Sequence, residues 1–140
     1  MKKVLCLIVL IISCFLSACS NNPTSKESIE NIYKENETLF VNVASAGNFS
    51  DLEKISGVQK VLICDDYTDI RCDSSGLGSN THYYGIFYSE TDNLCAIDVA
   101  GPLDELVEDG SGYRYKQSDG DNEYYVEPFG NHYFYYEAHF

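Results

Sequence analysis

Residues 26–47 read KESIENIYKENETLFVNVASAG, and nothing after them keeps the same rhythm. Ile29, Ile32, Tyr33, Leu39, Phe40, Val43 and Ala44 recur three or four residues apart, which stacks them on one face of a helix. Thr24 followed by Glu27 makes a capping-box start, and Gly47 supplies a stop. The spacing predicts a helix over 26–46 with one apolar face. Ser50 and Glu53 repeat the start signal and Gly57 repeats the stop, so a short second helix carrying Leu52 and Ile55 is expected.

Beyond Gly57 the helical period vanishes and strands separated by turn residues take over. Residues 58–64 read as a continuous apolar strand, and a turn at 65–68 leads to a second strand around Ile70 and Cys72. A third covers 83–88. After a turn at 90–93, a fourth covers 94–99 and a fifth 113–116; strands at 124–126 and 133–140 then flank Gly130-Asn131. Helices first and strands afterwards imply an α+β fold rather than a parallel α/β one. The expected architecture is an N-terminal helix, plus the short second helix, packed on one face of an antiparallel meander sheet.

Upstream of the helix the chain has a different character. Lys2 and Lys3 precede an almost unbroken apolar run over 4–15, the layout of an export signal. About a dozen residues are too few to span a bilayer, which takes ~20 in a helix, so the run reads as a cleaved leader. Leu16-Ser17-Ala18-Cys19 then resembles the lipobox of bacterial lipoproteins. That resemblance implies that the Cys19 thiol receives a diacylglycerol, that a dedicated peptidase cuts before it, and that Cys19 becomes the first residue of the mature protein. The alternative is an ordinary secretory signal cut after Ala18. Two acyl chains, each contributing ~0.8 kcal/mol per buried CH2, anchor stably where one is marginal.

This reading divides the chain into a leader (1–18), the lipidated cysteine with a polar tether (19–25) and a single extracytoplasmic domain (26–140). The tether reaches at most ~20 Å, which keeps the domain close to the membrane. The expected site is the outer leaflet of the cytoplasmic membrane; in a two-membrane host, Ser20 after Cys19 permits transfer to the outer one. About 115 residues suffice for one core.

Cleavage also changes the charge and the thiol count. Losing Lys2 and Lys3 subtracts two positive charges from the formal net charge of −13 and leaves −15, which argues against nucleic acid and against electrostatic docking on anionic lipid. Of six cysteines, Cys64, Cys72 and Cys95 remain in the domain. An odd number leaves either one disulfide and a free thiol or three reduced thiols. The candidate bond is Cys72–Cys95, which closes a loop of about two dozen residues and is worth ~3 kcal/mol in the chain-entropy model. It needs Cα atoms within about 7 Å. Strands on either side of a middle one are ~9.5 Å apart and cannot meet that condition.

The run from Cys72 through Gly76 and Gly78 to Ser79, followed by Tyr83-Tyr84-Gly85-Ile86-Phe87-Tyr88 and the ending Tyr135-Tyr136-Glu137-Ala138-His139-Phe140, resembles a group of uncharacterised small lipoproteins of Gram-positive bacteria. The resemblance carries over no catalytic residue.

Motifs for metal, phosphate or covalent chemistry are weak. Asp119-Gly120-Asp121-Asn122-Glu123 starts like a calcium loop, but Tyr124 and Gly130 stand where an EF-hand needs Gly and Glu, so a solvated turn is expected. Asp65, Asp66, Asp69 and Asp73 read as surface acidity. His82, His132 and His139 lack the paired spacings of a zinc site. The glycine-bearing turn expected at 74–79 has no P-loop lysine and does not match G-x-S-x-G. No cofactor is expected.

The aromatic content is the distinctive feature, with twelve tyrosines and seven phenylalanines but no tryptophan. A hairpin turning on Gly130-Asn131 pairs residues whose numbers sum to 261. Tyr125 and Glu127 then share a face with Phe134, Tyr136, Ala138 and Phe140, while Tyr124, Val126, Tyr133, Tyr135, Glu137 and His139 share the other. Tyr124, Tyr133, Tyr135, Glu137 and His139 are therefore the candidate ligand-binding residues, on an outer aromatic face suited to a glycan or an extended peptide. The competing expectation is that these rings serve the sheet through cross-strand pairs, or are covered to form a second core.

The functional expectation is a membrane-anchored binding or interaction module of the cell envelope, without catalytic activity, whose partner is an envelope protein, a peptide or a wall glycan. An envelope hydrolase is the runner-up, and a structural or inhibitory lipoprotein the third.

Overall fold

The computed structural model describes residues 25–78, 80–94 and 105–140. The expected leader, Cys19, most of the tether, Cys95 and nearly all of the strand expected at 94–99 lie outside them. The described elements are helix α1 (Lys26–Ala46), a 3-10 turn (Phe49–Lys54), and strands β1 (Lys60–Ile63), β2 (Thr68–Leu77), β3 (Asn80–Tyr88), β4 (Val107–Asp109), β5 (Gly112–Lys116), β6 (Glu123–Gly130) and β7 (Tyr133–His139). The fold is α+β, as the helix-then-strand order predicts.

Helix α1 occupies the predicted span, but its cap is one residue later than Thr24. The Ser25 side chain accepts from the Ser28 amide at 3.2 Å, satisfying one of the amides that a helix start leaves unpaired. Gly47 ends the helix at φ +66°, and the amides of Gly47 and Asn48 turn back to the carbonyls of Ala44 and Val43. A left-handed residue is needed there, and glycine adopts it without a Cβ penalty. The second helix is a single 3-10 stretch that buries Phe49 and Leu52.

The strands form one antiparallel sheet in the order β1-β2-β3-β7-β6-β5-β4. Two meanders, β1-β2-β3 and β4-β5-β6-β7, meet where β3 pairs with β7 at the centre. Strand β2 runs on to Leu77 and β3 begins at Asn80, so the glycine-bearing turn expected at 74–79 is in fact strand up to Leu77. Gly76, at φ +96°, makes this feasible: a Cβ there would lie 1.8 Å from the carbonyl oxygen of Asn80.

The β6–β7 hairpin determines which rings meet. Its two-residue turn is Asn131-His132, both at positive φ (+53° and +66°), one residue later than expected. That geometry fits the right-handed strand twist. A bulge between Pro128 and Gly130 then inserts Phe129 as an extra residue, so Val126 pairs with Tyr136 and Tyr125 with Glu137. Strand side chains alternate, so one extra residue moves all of β6 beyond it to opposite faces. Pro128, which has no amide to donate, stands at this irregularity.

Two cores result. On one face, Ile29, Tyr33, Phe40 and Val43 of α1 pack with Leu52, Ile70, Cys72, Ile86, Tyr125, Tyr133 and Tyr135. On the other, Phe87, Tyr124, Val126, Phe134, Tyr136 and Ala138 pack with Tyr67, Tyr83, Leu94, Leu106, Tyr113, Tyr115 and Phe140. Among the described residues no helix is long and apolar enough to cross a membrane.

Candidate functional site

The five candidates do not form one exposed face. Tyr133 and Tyr135 are fully buried under α1, while Tyr124 is 1% exposed on the opposite face, donating its hydroxyl to the Leu94 carbonyl at 2.9 Å. The bulge at Phe129 is the physical reason Tyr124 separates from the other two. Both faces are covered, so the outer aromatic face is not free surface. Glu137 and His139 are different: both are half-buried and line an open cleft.

Strand register explains the cleft. On the helix side of the sheet, Ser75, His82, His139, Glu123 and Lys116 form one row across β2, β3, β7, β6 and β5. Asp73, Tyr84, Glu137, Tyr125 and Arg114 form the next. A third row holds Ile86, Tyr135 and Glu127, and a fourth Tyr88, Tyr133 and Gly130. Helix α1 anchors on the third and fourth. Lys26 is ion-paired with Glu127, the Tyr33 hydroxyl reaches the Gly130 carbonyl, and the Tyr133 hydroxyl reaches the Phe40 carbonyl. The first two rows extend past the helix start and leave a cleft of about 180 Å³.

Its groups are held in place. The Arg114 guanidinium spans Asp109 at 2.5 Å and Glu123 at 2.6 Å, and lies 4.8 Å from the centre of the Tyr125 ring. Burial would lower its pKa, but the two carboxylates more than offset this and raise it. Glu137 accepts the Tyr135 hydroxyl at 2.6 Å. Tyr84 is pushed above the usual phenol value, first by burial and then by Glu137 and Asp73. Tyr125 is pushed up to about 12, by burial and by Glu127, to which it donates at 2.5 Å. Tyr84 is therefore a neutral hydroxyl beside carboxylates at the cleft, whereas Tyr125 lines the cleft with its hydroxyl committed to Glu127. At the outer row, Nε2 of His82 lies 2.6 Å from Nε2 of His139 and 3.1 Å from Asn80 Oδ1.

The other sequence candidates lie elsewhere. Asp65 and Asp66 are exposed, while Asp69 and Asp73 are buried on separate partners, Tyr136 with Arg71 and Gln59 respectively. Residues 119–122 form the exposed turn before β6. His132, within the hairpin turn, pairs with Asp92 at 2.9 Å. Cys72 is a buried free thiol and Cys64 an exposed one; the candidate partner of Cys72, Cys95, lies outside the described residues. No group of three or more His, Cys, Asp or Glu among the described residues is placed to hold a metal ion.

None of His82, Tyr84, Arg114, Glu123 and Tyr125 is among the ligand-binding candidates of the sequence, where His82 and Glu123 enter only against zinc and calcium patterns. A signal for them exists in retrospect: each of β3, β5, β6 and β7 carries two chemistry-bearing residues two apart (82/84, 114/116, 123/125, 137/139), which places both on one face. No protein-family model, curated protein or solved structure matches the chain.

Proposed function

We propose that this chain is a cell-envelope lipoprotein, anchored through Cys19, whose domain binds a hydroxyl-rich ligand, foremost a saccharide unit of a wall glycan, without catalysing its turnover. The observation that carries the reading is the row Tyr84-Glu137-Tyr125-Arg114, which leaves two phenol rings, a carboxylate and a guanidinium beside one open cleft. The Tyr84 ring packs against an apolar face of a sugar, while the Glu137 carboxylate accepts from its hydroxyls; the Tyr125 ring already carries Arg114. The volume is below the 300–1,000 Å³ typical of sites for drug-sized molecules, which favours one ring-sized unit of a longer chain.

Binding is favoured over hydrolysis by the pairing pattern. Glu137 is engaged by Tyr135, Glu123 by Arg114, and His139 faces His82, so neither the carboxylate pair of a glycosidase nor an acid aligned on an imidazole stands free in the cleft.

The test is an NMR titration of the detergent-extracted lipoprotein with soluble N-acetylated disaccharide fragments of wall glycan. Saturable shifts confined to His82, Tyr84, Tyr125 and His139 are expected. Shifts that cluster elsewhere, or no response at millimolar fragment, contradict the reading.

A further inference from the structure

We propose that His82 and His139 form a two-imidazole site for a late divalent transition-metal ion, Cu(II) before Ni(II). This deepens, and rests on, the reading of the cleft as a ligand site. Thr81 and Phe140 exchange both backbone hydrogen bonds, each at 3.0 Å. The neighbouring pair His82–His139 is therefore a non-hydrogen-bonded pair, whose side chains approach most closely in an antiparallel ladder. Their Nε2 atoms already converge to 2.6 Å, at the open end of the cleft.

At metal–nitrogen bonds of ~2.0–2.1 Å, a right angle at the ion needs the nitrogens ~2.9 Å apart and a tetrahedral angle ~3.3 Å. The observed spacing is that of a hydrogen-bonded pair and lies below both values, so the imidazoles must part to admit an ion, less for the right angle that Cu(II) and Ni(II) prefer than for a tetrahedral one. Copper also stands highest of the divalent series on nitrogen donors. At 2.6 Å one imidazole donates its Nε2 proton to the other, and Asn80 Oδ1 stands 3.1 Å from His82 Nε2 as a second acceptor. Coordination requires that this proton move to the Nδ1 position, after which both Nε2 lone pairs face the ion with no net change in charge. Among the described residues no third His, Cys, Asp or Glu is placed to ligate, which leaves the remaining positions to water or to Asn80 Oδ1, 3.1 Å from His82 Nε2. Glu123, next to His139 in the same row, is already paired with Arg114 and Lys116, so the attraction for a cation comes from the negative charge of the whole chain.

The test is electron paramagnetic resonance with Cu(II) alone, on the detergent-extracted lipoprotein carrying Cys64→Ser, because the exposed Cys64 thiol would otherwise compete for copper. The expected spectrum shows one copper per chain with two equivalent nitrogens. His82→Gln and His139→Gln should each weaken binding by about tenfold or more, with unchanged melting temperature. A two-nitrogen signal that survives both substitutions together, or no binding at equimolar copper, overturns the proposal. Disaccharide shifts at Tyr84 without copper binding overturn the metal site and leave the cleft reading standing. Copper held by both imidazoles without any disaccharide response supports the metal site and overturns the glycan reading.

Discussion

Tyr133 donates its hydroxyl to the carbonyl oxygen of Phe40 at 2.7 Å while its ring stands edge-on to the Phe40 ring, 5.1 Å between centroids and 88° between planes. One residue of the last strand thus fastens the first helix by both its apolar body and its polar tip. Tyr133→Phe keeps the ring and loses the bond, and should cost about 1 kcal/mol, or up to ~3 where the buried carbonyl finds no other partner. Tyr133→Ala removes the ring too and should cost about 3–5 kcal/mol. Urea unfolding of the two variants checks both values.

Gly85 sits opposite Tyr136 at the centre of the sheet, and a Cβ there would come within 2.5 Å of the Ile70 carbonyl oxygen and 2.9 Å of the Tyr136 ring. The Tyr136 hydroxyl in turn reaches buried Asp69 at 2.7 Å. Gly85→Ala should therefore destabilise by about 1–3 kcal/mol as an overpacked site, read as a lower melting temperature. An unchanged melting temperature would mean that the ring is not packed over this glycine.

Alkali provides a third test. Burial raises the phenols of Tyr133, Tyr135 and Tyr136 above their ordinary value of 10, and burial with Glu127 takes Tyr125 to about 12. The folded state thus holds protons that the unfolded chain has released above 10, so stability is full below that pH and declines as pH rises through the folded values. Absorbance at the phenolate band should show part of the tyrosines ionising only in a cooperative step coincident with loss of the fold. A single non-cooperative titration near 10, with the fold retained, would contradict the buried placement.

The anchor is tested in cells. Cys19→Ala should release the protein from the membrane fraction and abolish the mobility shift that an inhibitor of the lipoprotein peptidase produces. Free appearance of the unaltered protein in the medium would refute lipidation.

The helix, its apolar face and most strands were legible because they depend on local period and on capping and turn residues. The placement of Tyr124 was not. A hairpin turn alone, whether on Gly130-Asn131 or on Asn131-His132, would have kept Tyr124 and Tyr135 on one face. The extra residue Phe129 reversed the parity, and a bulge leaves little trace in a sequence beyond Pro128 beside it. The cleft was legible only in part, through Glu137 and His139. Its other groups, His82, Tyr84, Arg114, Glu123 and Tyr125, are brought together by β7 pairing with β3 across more than forty residues, a non-local choice that no single strand encodes.

The most direct test of the ligand site is the Glu137→Gln variant, measured for disaccharide affinity and melting temperature on the same preparation. The amide keeps an acceptor for the Tyr135 hydroxyl while removing the negative charge between Tyr84 and Tyr125. A loss of affinity of about tenfold or more with little change in melting temperature is the predicted result. Unchanged affinity in a protein that has clearly lost stability would contradict it and assign Glu137 to the architecture of the sheet alone.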